Sequence, residues 1–434
     1  MTRTIPPTRP PETITVPAHG RRRAATGLRV FAASRPAPLT EVRLYVPLPG
    51  AGHATTAAVL AEMLFAGRSR LRDRLDAIGG HLFAVAGADS LVVSGNALAA
   101  HTRELFTLLA GALREKVRSR PELHLARARI ADGFRLARSR PELVVHQALS
   151  TIRYAGHPYG QPPPEPTVVD AVTEHDVIEL WESLRPADAT LCVVASAPVE
   201  QTLDLAAETF AEWRGSARPA PEEVPVPPPR PGPVTLVHRD SADRVLLRWG
   251  LDVVGPAHPE LPAVELTHTA LGGSYSCRLV ETLRQRHGWA YTPSTSLLHQ
   301  RRASLLVVSA DVPTEAAEAV LDLVRDELRG LAENPVRGEE LERARGKTLG
   351  AHALSLRSAA HVADVMLTLA EHDLELDAVE RRVRKLHAVR ESDMESVARR
   401  LFTPERATEV VLGDAVLLYA KLSAFYPVVH RSME

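Results

Sequence analysis

Apolar residues in many stretches of this chain recur every three or four positions, which is the spacing of one face of an α-helix. The segment TAAVLAEMLFAGRS, from Thr56 to Ser69, shows this spacing at Ala58, Ala61 and Leu64. It predicts a helix with one face buried against a core. Short apolar runs such as TEVRLYVPLPG alternate with the helical segments. They predict strands, so the chain combines helices and strands throughout.

A proline-rich segment divides the chain near its midpoint. The stretch RGSARPAPEEVPVPPPRPGPV, residues 214–234, contains eight prolines, which exclude helix interiors and central strands. We expect an extended, semi-rigid linker there. The predicted organisation is a loose N-terminal segment at 1–26, a first domain at 27–213, the linker at 214–234 and a second domain at 235–434.

The two halves resemble each other. VTEHDVIELWESLRPADATLCVVASAP begins at Val172, and VRESDMESVARRLFTPERATEVVLGDA begins at Val389. Each is typical of an amphipathic helix, a proline-containing turn ending in Ala-Thr, and a buried strand. We therefore predict an α+β fold of two duplicated domains, each with a mixed, mainly antiparallel sheet and helices packed on one face.

Composition excludes several classes of function. The 434 residues include 52 basic and 53 acidic side chains, so no overall field attracts nucleic acid. No apolar run approaches the roughly 18 residues of a membrane-spanning helix, and the N-terminus lacks a secretory signal. Cys192 and Cys277 stand far apart in apolar surroundings, which favours buried thiols in a reducing compartment. We expect a cytoplasmic protein that binds neither membranes nor nucleic acids.

Several motifs in one order carry a family resemblance. They include AEMLFAG and YAGHPYGQP in the first half and LGGSYSCRLVETLRQRHGWAYTPSTS in the second. With the duplication, they make the chain similar to the pitrilysin/insulinase metallopeptidases, the inverzincins. At this length it resembles the subunits of mitochondrial processing peptidase and of bacterial heterodimeric peptidases. That resemblance implies a chamber built from two chains of two domains each.

The family's zinc motif, H-x-x-E-H, is missing from the matching helix. Two histidines four apart can bind one zinc ion, and the intervening Glu can take a proton from the bound water. Aligned on MLFAG, these positions are Ala58, Ala61 and Glu62, and the third ligand, a downstream Glu, falls near Asp132. Alanine has no donor atom. We expect no metal and no cofactor in this chain, and the resemblance places zinc in a partner subunit.

Arg284 and Tyr291 match an Arg and Tyr pair that the resemblance places against the substrate. The sequence predicts a helix ending at Gly288 and a strand starting directly after it, so both side chains point toward one place. The alternative is an Arg favoured by the helix dipole and a half-buried Tyr. The glycines of LGGSY, residues 271–275, form either a flexible turn near substrate or a tight connection, and we favour the connection.

The resemblance implies a non-catalytic subunit of a heterodimeric zinc metalloendopeptidase that acts in peptide degradation or leader-peptide processing. Its partner would be a half-size zinc-binding chain, and Arg284 and Tyr291 would contact the peptide. The chain alone is not expected to catalyse a reaction. The alternative is an inactive structural or peptide-binding scaffold with the same fold. Only four of the basic residues are lysines, which fits a GC-rich bacterial genome.

Overall fold

The computed structural model describes residues 11–49, 52–65, 69–115, 120–215, 224–229, 232–240 and 242–431. The expected loose segment at 1–10 and linker residues 216–223 and 230–231 lie outside the described residues. The strands are β1 Ala18–Arg23, β2 Arg29–Ser34, β3 Leu39–Pro47, β4 His81–Ala86, β5 Ser90–Leu98, β6 Thr190–Ala195, β7 Val234–His238, β8 Val245–Asp252, β9 Ser294–His299, β10 Ser304–Val312, β11 Thr408–Gly413 and β12 Val428–Arg431.

Helices fill most of the connections between these strands. They are α1 Ala54–Phe65, α2 Ser69–Ala77, α3 Thr102–Arg114, α4 Arg120–Ser139, α5 Pro141–Arg153, α6 Pro166–Ala171, α7 Glu174–Ser183, α8 Val199–Thr209, α9 Leu261–Leu271, α10 Ala317–Glu333, α11 Gly338–Ser355, α12 Ala359–Glu371, α13 Ala378–Ala388, α14 Glu391–Leu401 and α15 Ala415–Ser423. A π-helix spans Val280–Arg286.

The strands form two six-stranded sheets with equivalent topology. The first has the order β1-β2-β6-β3-β5-β4 and the second β12-β7-β11-β8-β10-β9. In the first sheet, β6 runs parallel to β2 and antiparallel to β3. In the second sheet, β11 runs parallel to β7 and antiparallel to β8 in the same way. The two outer hairpins are antiparallel as well. The predicted duplicated α+β fold with mixed, mainly antiparallel sheets is therefore confirmed.

The first strand in the order of each sheet comes from one end of the described chain, and the two sheets use opposite ends. Strand β1 precedes the first repeat and pairs antiparallel with β2, whereas β12 follows the second repeat and pairs parallel with β7. The loose segment predicted at 1–26 is therefore ordered over Ala18–Arg23. Its sequence, AHGRRR, has no apolar alternation, so pairing depends on backbone hydrogen bonds and on Arg22, which binds Glu200 of α8.

The helix predicted from the hydrophobic pattern is α1, and its apolar face is buried as expected. Leu60 and Leu64 are fully buried in the first core, and Ala61 is nearly so. Helix α1 lies between β3 and β4 in the chain, and α9 occupies the same place between β8 and β9. Each packs against a later helix of its own half, α4 and α11 respectively. The two helix pairs are therefore equivalent.

Each half also places one helix on the other half's sheet. Helix α12 packs on β3 and β6 through Val362 and Met366, and α5 packs on β8 and β11 through Val145 and Leu149. The guanidinium of Arg153 in α5 binds both carboxylate oxygens of a β8 aspartate, at 2.8 and 2.7 Å. This exchange buries apolar surface of both halves in shared cores, so the halves form one folded unit.

Candidate functional site

The helix α1 positions that match the family's zinc motif cannot bind metal. Ala58 and Ala61 present only methyl groups. The carboxylate of Glu62 lies 3.5 Å from the guanidinium of Arg129 on α4 (Oε2 to Nη1). A cation bound to Glu62 would lie next to this positively charged side chain, which repels it. The residues present therefore do not fit a zinc ion.

Asp132, the expected third position, faces solvent. Its side chain is 69% exposed and pairs with Arg135, one turn along the same helix. No contact joins it to Glu62, whose partner on α4 is Arg129, three residues earlier. Across the described part of the chain, no three His, Cys, Asp or Glu side chains are grouped so that they could hold a metal ion.

Arg284 lies in the π-helix Val280–Arg286, and the chain reverses directly after it. Gly288 has φ of +66°, a conformation that favours glycine, and the amides of Trp289 and Ala290 both donate to the carbonyl of Leu283. Because the chain folds back onto the helix here, it cannot enter the sheet at once. The strand expected directly after Gly288 begins instead at Ser294, and Tyr291 lies on the intervening loop.

The same reversal brings Arg284 and Tyr291 into contact. The guanidinium carbon Cζ lies 4.7 Å from the centroid of the Tyr291 ring, within cation–π range. The Tyr291 side chain is 72% exposed, so the half-buried tyrosine of the alternative interpretation is not found. π-Helical turns occur frequently at functional sites. The pair presents a guanidinium and a phenol side by side on the surface, without an ionic partner for Arg284 among the described residues.

The glycine turn at 271–275 connects α9 tightly to β9. A Cβ on Gly272 would lie 2.5 Å from the Cγ2 of Thr295, and the amide of Thr295 donates to the Gly272 carbonyl at 3.0 Å. Only glycine allows this approach of helix end to strand, which favours the connecting role. Tyr275, in the same turn, is 81% exposed.

Comparison with known proteins shows what the chain is similar to. Residues 171–347 match the family model described as the peptidase M16 inactive domain. This part of the chain is similar to the M16 peptidases. The uncharacterized zinc protease YmxG of Bacillus subtilis is 21% identical over 363 residues, covering 81% of this chain and 87% of that protein. An uncharacterized zinc protease of Mycobacterium tuberculosis (H37Rv) is 24% identical over 347 residues, 78% of each chain.

Solved structures show the same fold as this chain. A protease from Helicobacter pylori superposes with a TM-score of 0.84 at 18% identity, covering 92% of this chain and all of that one. A peptidase M16 inactive domain from Pseudomonas fluorescens gives 0.82 at 18% identity, covering 92% and 98%. The resemblance inferred from the sequence motifs is therefore confirmed. No helix in the described part of the chain is both long and apolar enough to cross a membrane.

In the second half of the chain, a buried polar cluster occupies the place equivalent to the α1–α4 contact. Glu265 on α9 lies 3.5 Å from His352 of α11 and 3.5 Å from Arg382 of α13. Burial alone would raise the pKa of Glu265, but these neighbours outweigh it and lower that pKa. The sequence analysis missed this cluster. Its local signal was Glu265 and His268, three residues apart on a helix without other charged or ionisable side chains.

Burial also keeps two histidines of the cluster neutral. It lowers the pKa of His268 to about 4 and that of His299 to about 4. His268 Nδ1 lies 2.7 Å from the hydroxyl of Thr295, which itself donates to the His268 carbonyl at 3.1 Å. The Thr295 hydroxyl therefore lies within hydrogen-bond distance of both the ring and the carbonyl of His268. The cluster therefore links α9 to the start of β9, close to the Arg284 and Tyr291 loop.

Part of each sheet remains uncovered on the face that receives the exchanged helix. On β4, Phe83 and Val85 are about half exposed, and His81 stacks on Phe83. On β9, the residues of the corresponding face are Ser294, Ser296 and Leu298. Both strands are sheet edges. An open edge with an apolar face is a template for an additional strand.

Proposed function

We propose that this chain is the non-catalytic half of a two-chain zinc endopeptidase and that it forms one wall of a peptide-binding chamber. The observation that carries the proposal is the stacked pair of partly exposed Arg284 and exposed Tyr291, in a chain whose α1 lacks the histidines of the zinc motif. The relatives described as zinc proteases support this reaction class. Zinc would be bound by a half-size partner subunit with the H-x-x-E-H motif.

Arg284 and Tyr291 would bind the backbone of the substrate. A guanidinium and a phenol can both donate hydrogen bonds to one peptide carbonyl, and such donors stabilise the oxyanion that forms when the carbonyl is attacked. Stacking holds the guanidinium over the ring, so less side-chain freedom is lost when substrate binds. The pair's side-by-side arrangement at the surface supports this role better than a packing role.

The substrate would be an unfolded peptide. The open edges at β4 and β9 can add an extended chain as a further strand, with backbone hydrogen bonds providing affinity. A folded protein would not present such a strand. Peptide degradation and leader-peptide processing both supply extended substrates, and a bacterial cytoplasm is the compartment we propose.

Reconstitution with a partner tests the proposal. The chain is co-expressed with half-size H-x-x-E-H chains encoded beside it, and complexes are isolated and supplied with fluorogenic peptides. We expect Arg284→Ala or Tyr291→Phe to lower kcat/KM at least tenfold, about 1.4 kcal/mol, without loss of assembly. Arg286→Ala and Tyr275→Phe are matched controls, because both residues are nearby and exposed.

The outcomes separate two functions. Unchanged cleavage in both test variants would refute the substrate role of the pair. A stable complex that cleaves no peptide would favour the alternative, an inactive structural or peptide-binding scaffold with the M16 fold.

A further inference from the structure

A cavity of about 840 Å³ runs along helix α5, beside the second sheet. Leu143 in the first turn of α5 and Ile152 in the last turn both line it. A helix rises about 1.5 Å per residue, so the cavity extends roughly 14 Å along α5. Three successive prolines, Pro162–Pro164, form part of its wall. The cavity is therefore elongated, and its volume is typical of sites that bind small ligands.

On the sheet side, the cavity is lined by a row of side chains that crosses three parallel strands. Leu412 of β11, Val237 of β7 and Arg431 of β12 are register partners, and all three line the cavity. Leu412 and Val237 pack with α5, so the row lies on the α5 face of the sheet. Arg239 also lines the cavity, and it lies two residues beyond Val237 and therefore on the same face. The row is apolar in the sheet and ends in two arginines at the edge.

Neither Arg239 nor Arg431 has a carboxylate partner among the residues that the structure describes. Arg239 is half-buried and donates from Nη2 to the carbonyl of Ser139, the last residue of α4, at 2.9 Å. That contact uses one of its five N–H groups and leaves its charge uncompensated. The strand register separates the two Cα atoms by roughly 8 Å, so both guanidinium groups can reach one carboxylate. The end of the cavity next to Ser139 therefore carries positive charge.

The acidic residues around this end already have partners. Glu165, which lines the cavity, binds Arg138 at 2.6 Å. Asp240 binds the imidazole of His238 at 2.8 Å. Burial is the main cause that lowers the pKa of His146, so this further wall residue is uncharged near pH 7. The described lining thus has two arginines without a counter-charge, and an occupant with a carboxylate would supply one through charge-assisted hydrogen bonds.

We propose that this cavity binds an amphipathic anion, an extended apolar chain that ends in a carboxylate. The apolar chain lies along α5, against Val144 and the prolines, and the carboxylate accepts hydrogen bonds from Arg239 and Arg431. Two sources provide this chemistry, a fatty acid and the C-terminus of a peptide with apolar last residues. Neither Arg284 nor Tyr291 lines the cavity, so the inference does not depend on the proposed function.

Titration of the full chain with fluorescent probes tests this site. One probe is dansylaminoundecanoic acid, and the other is a dansyl-labelled, leucine-rich pentapeptide with a free C-terminus. Each carboxylate is compared with its uncharged amide, and dansyl emission rises when a probe leaves water for an apolar cavity. We expect at least one carboxylate to bind about tenfold more tightly than its amide. Either source supports the proposal, and the tighter carboxylate identifies which source it is.

Variants separate the charge from the apolar wall. Arg431→Gln and Arg239→Gln should each weaken binding of the carboxylate severalfold and leave binding of the amide largely unchanged. Arg384→Gln is the matched control, because Arg384 is an exposed arginine of α13 that does not line the cavity. Ala137→Trp, which places a large ring in the cavity wall, should weaken binding of the carboxylate and the amide alike.

Each result decides the inference. Failure of both carboxylates to bind, or equal binding of carboxylate and amide, overturns it. A carboxylate preference that survives in the double variant Arg239→Gln, Arg431→Gln also overturns it. An equal loss in Arg384→Gln contradicts the site as well, because the effect would then come from overall charge. Melting temperatures confirm that each variant is folded. Turnover by the reconstituted pair is measured separately and judges only the proposed function.

Discussion

Replacing His268 by asparagine tests how the buried cluster on α9 contributes to stability. Burial lowers the pKa of His268 from 6.5 to about 4 in the folded chain. Between these values the unfolded chain binds a proton that the folded chain excludes, so stability falls as the pH falls. Above pH 6.5 the group contributes nothing to the pH dependence. Below about pH 4 both states are protonated and the loss is complete.

The magnitude follows from the same two values. Each tenfold change in proton affinity is worth about 1.4 kcal/mol, so the full loss is about 3 kcal/mol. Between about pH 7 and about pH 4.5 the expected loss from His268 is about 2 kcal/mol. The groups that face it include Glu265, which raises the pKa, and His299, which lowers it. Asparagine keeps a nitrogen donor near Nδ1 for Thr295 but does not titrate.

Urea unfolding at the two pH values measures the effect. Tryptophan fluorescence reports unfolding of both halves, because Trp213 is buried in the first core and Trp249 in the same core as α9. His268→Asn lowers stability at both pH values through lost packing, and this constant cost cancels in the comparison. We expect the wild type to lose about 2 kcal/mol more than the variant on acidification. Equal losses in both proteins would refute the burial of a neutral His268.

Three further predictions concern the α1 helix and the close contact between Gly272 and strand β9. The chain purified alone should contain no stoichiometric zinc and cleave no peptide, and one tightly bound zinc per chain by metal analysis would contradict this. The triple variant Ala58→His, Ala61→Glu, Glu62→His should bind zinc weakly and cleave little, because the carboxylate expected to complete the site faces solvent. Efficient cleavage would show a pocket still organised for catalysis. Gly272→Ala should lower the melting temperature, since its Cβ would lie 2.5 Å from a β9 side chain. Gly330→Ala, with open space around it, should not, and equal melting of the two variants would refute the steric argument.

The sequence indicated that Arg284 and Tyr291 lie close together, and it misplaced Tyr291 relative to the sheet. The spacing of Arg284 and Tyr291 indicated that both polar ends point to one place, and the structure stacks them. The strand placement of Tyr291 was wrong, because two amides return to the Leu283 carbonyl and delay the sheet until Ser294. Hydrophobic periodicity does not distinguish an α-turn from a π-turn, so this reversal had no signal in the pattern.

The sequence by itself determined the features that depend on residue type and local spacing. These are the duplicated α+β repeats, the buried face of α1 and the missing donors at Ala58 and Ala61. The tertiary structure alone decided which distant segments meet. It placed α5 and α12 on each other's sheets, turned Asp132 to solvent, and brought Glu265 to His352. Such contacts arise when whole elements pack to bury apolar area, a property of the complete chain that no short window of sequence encodes.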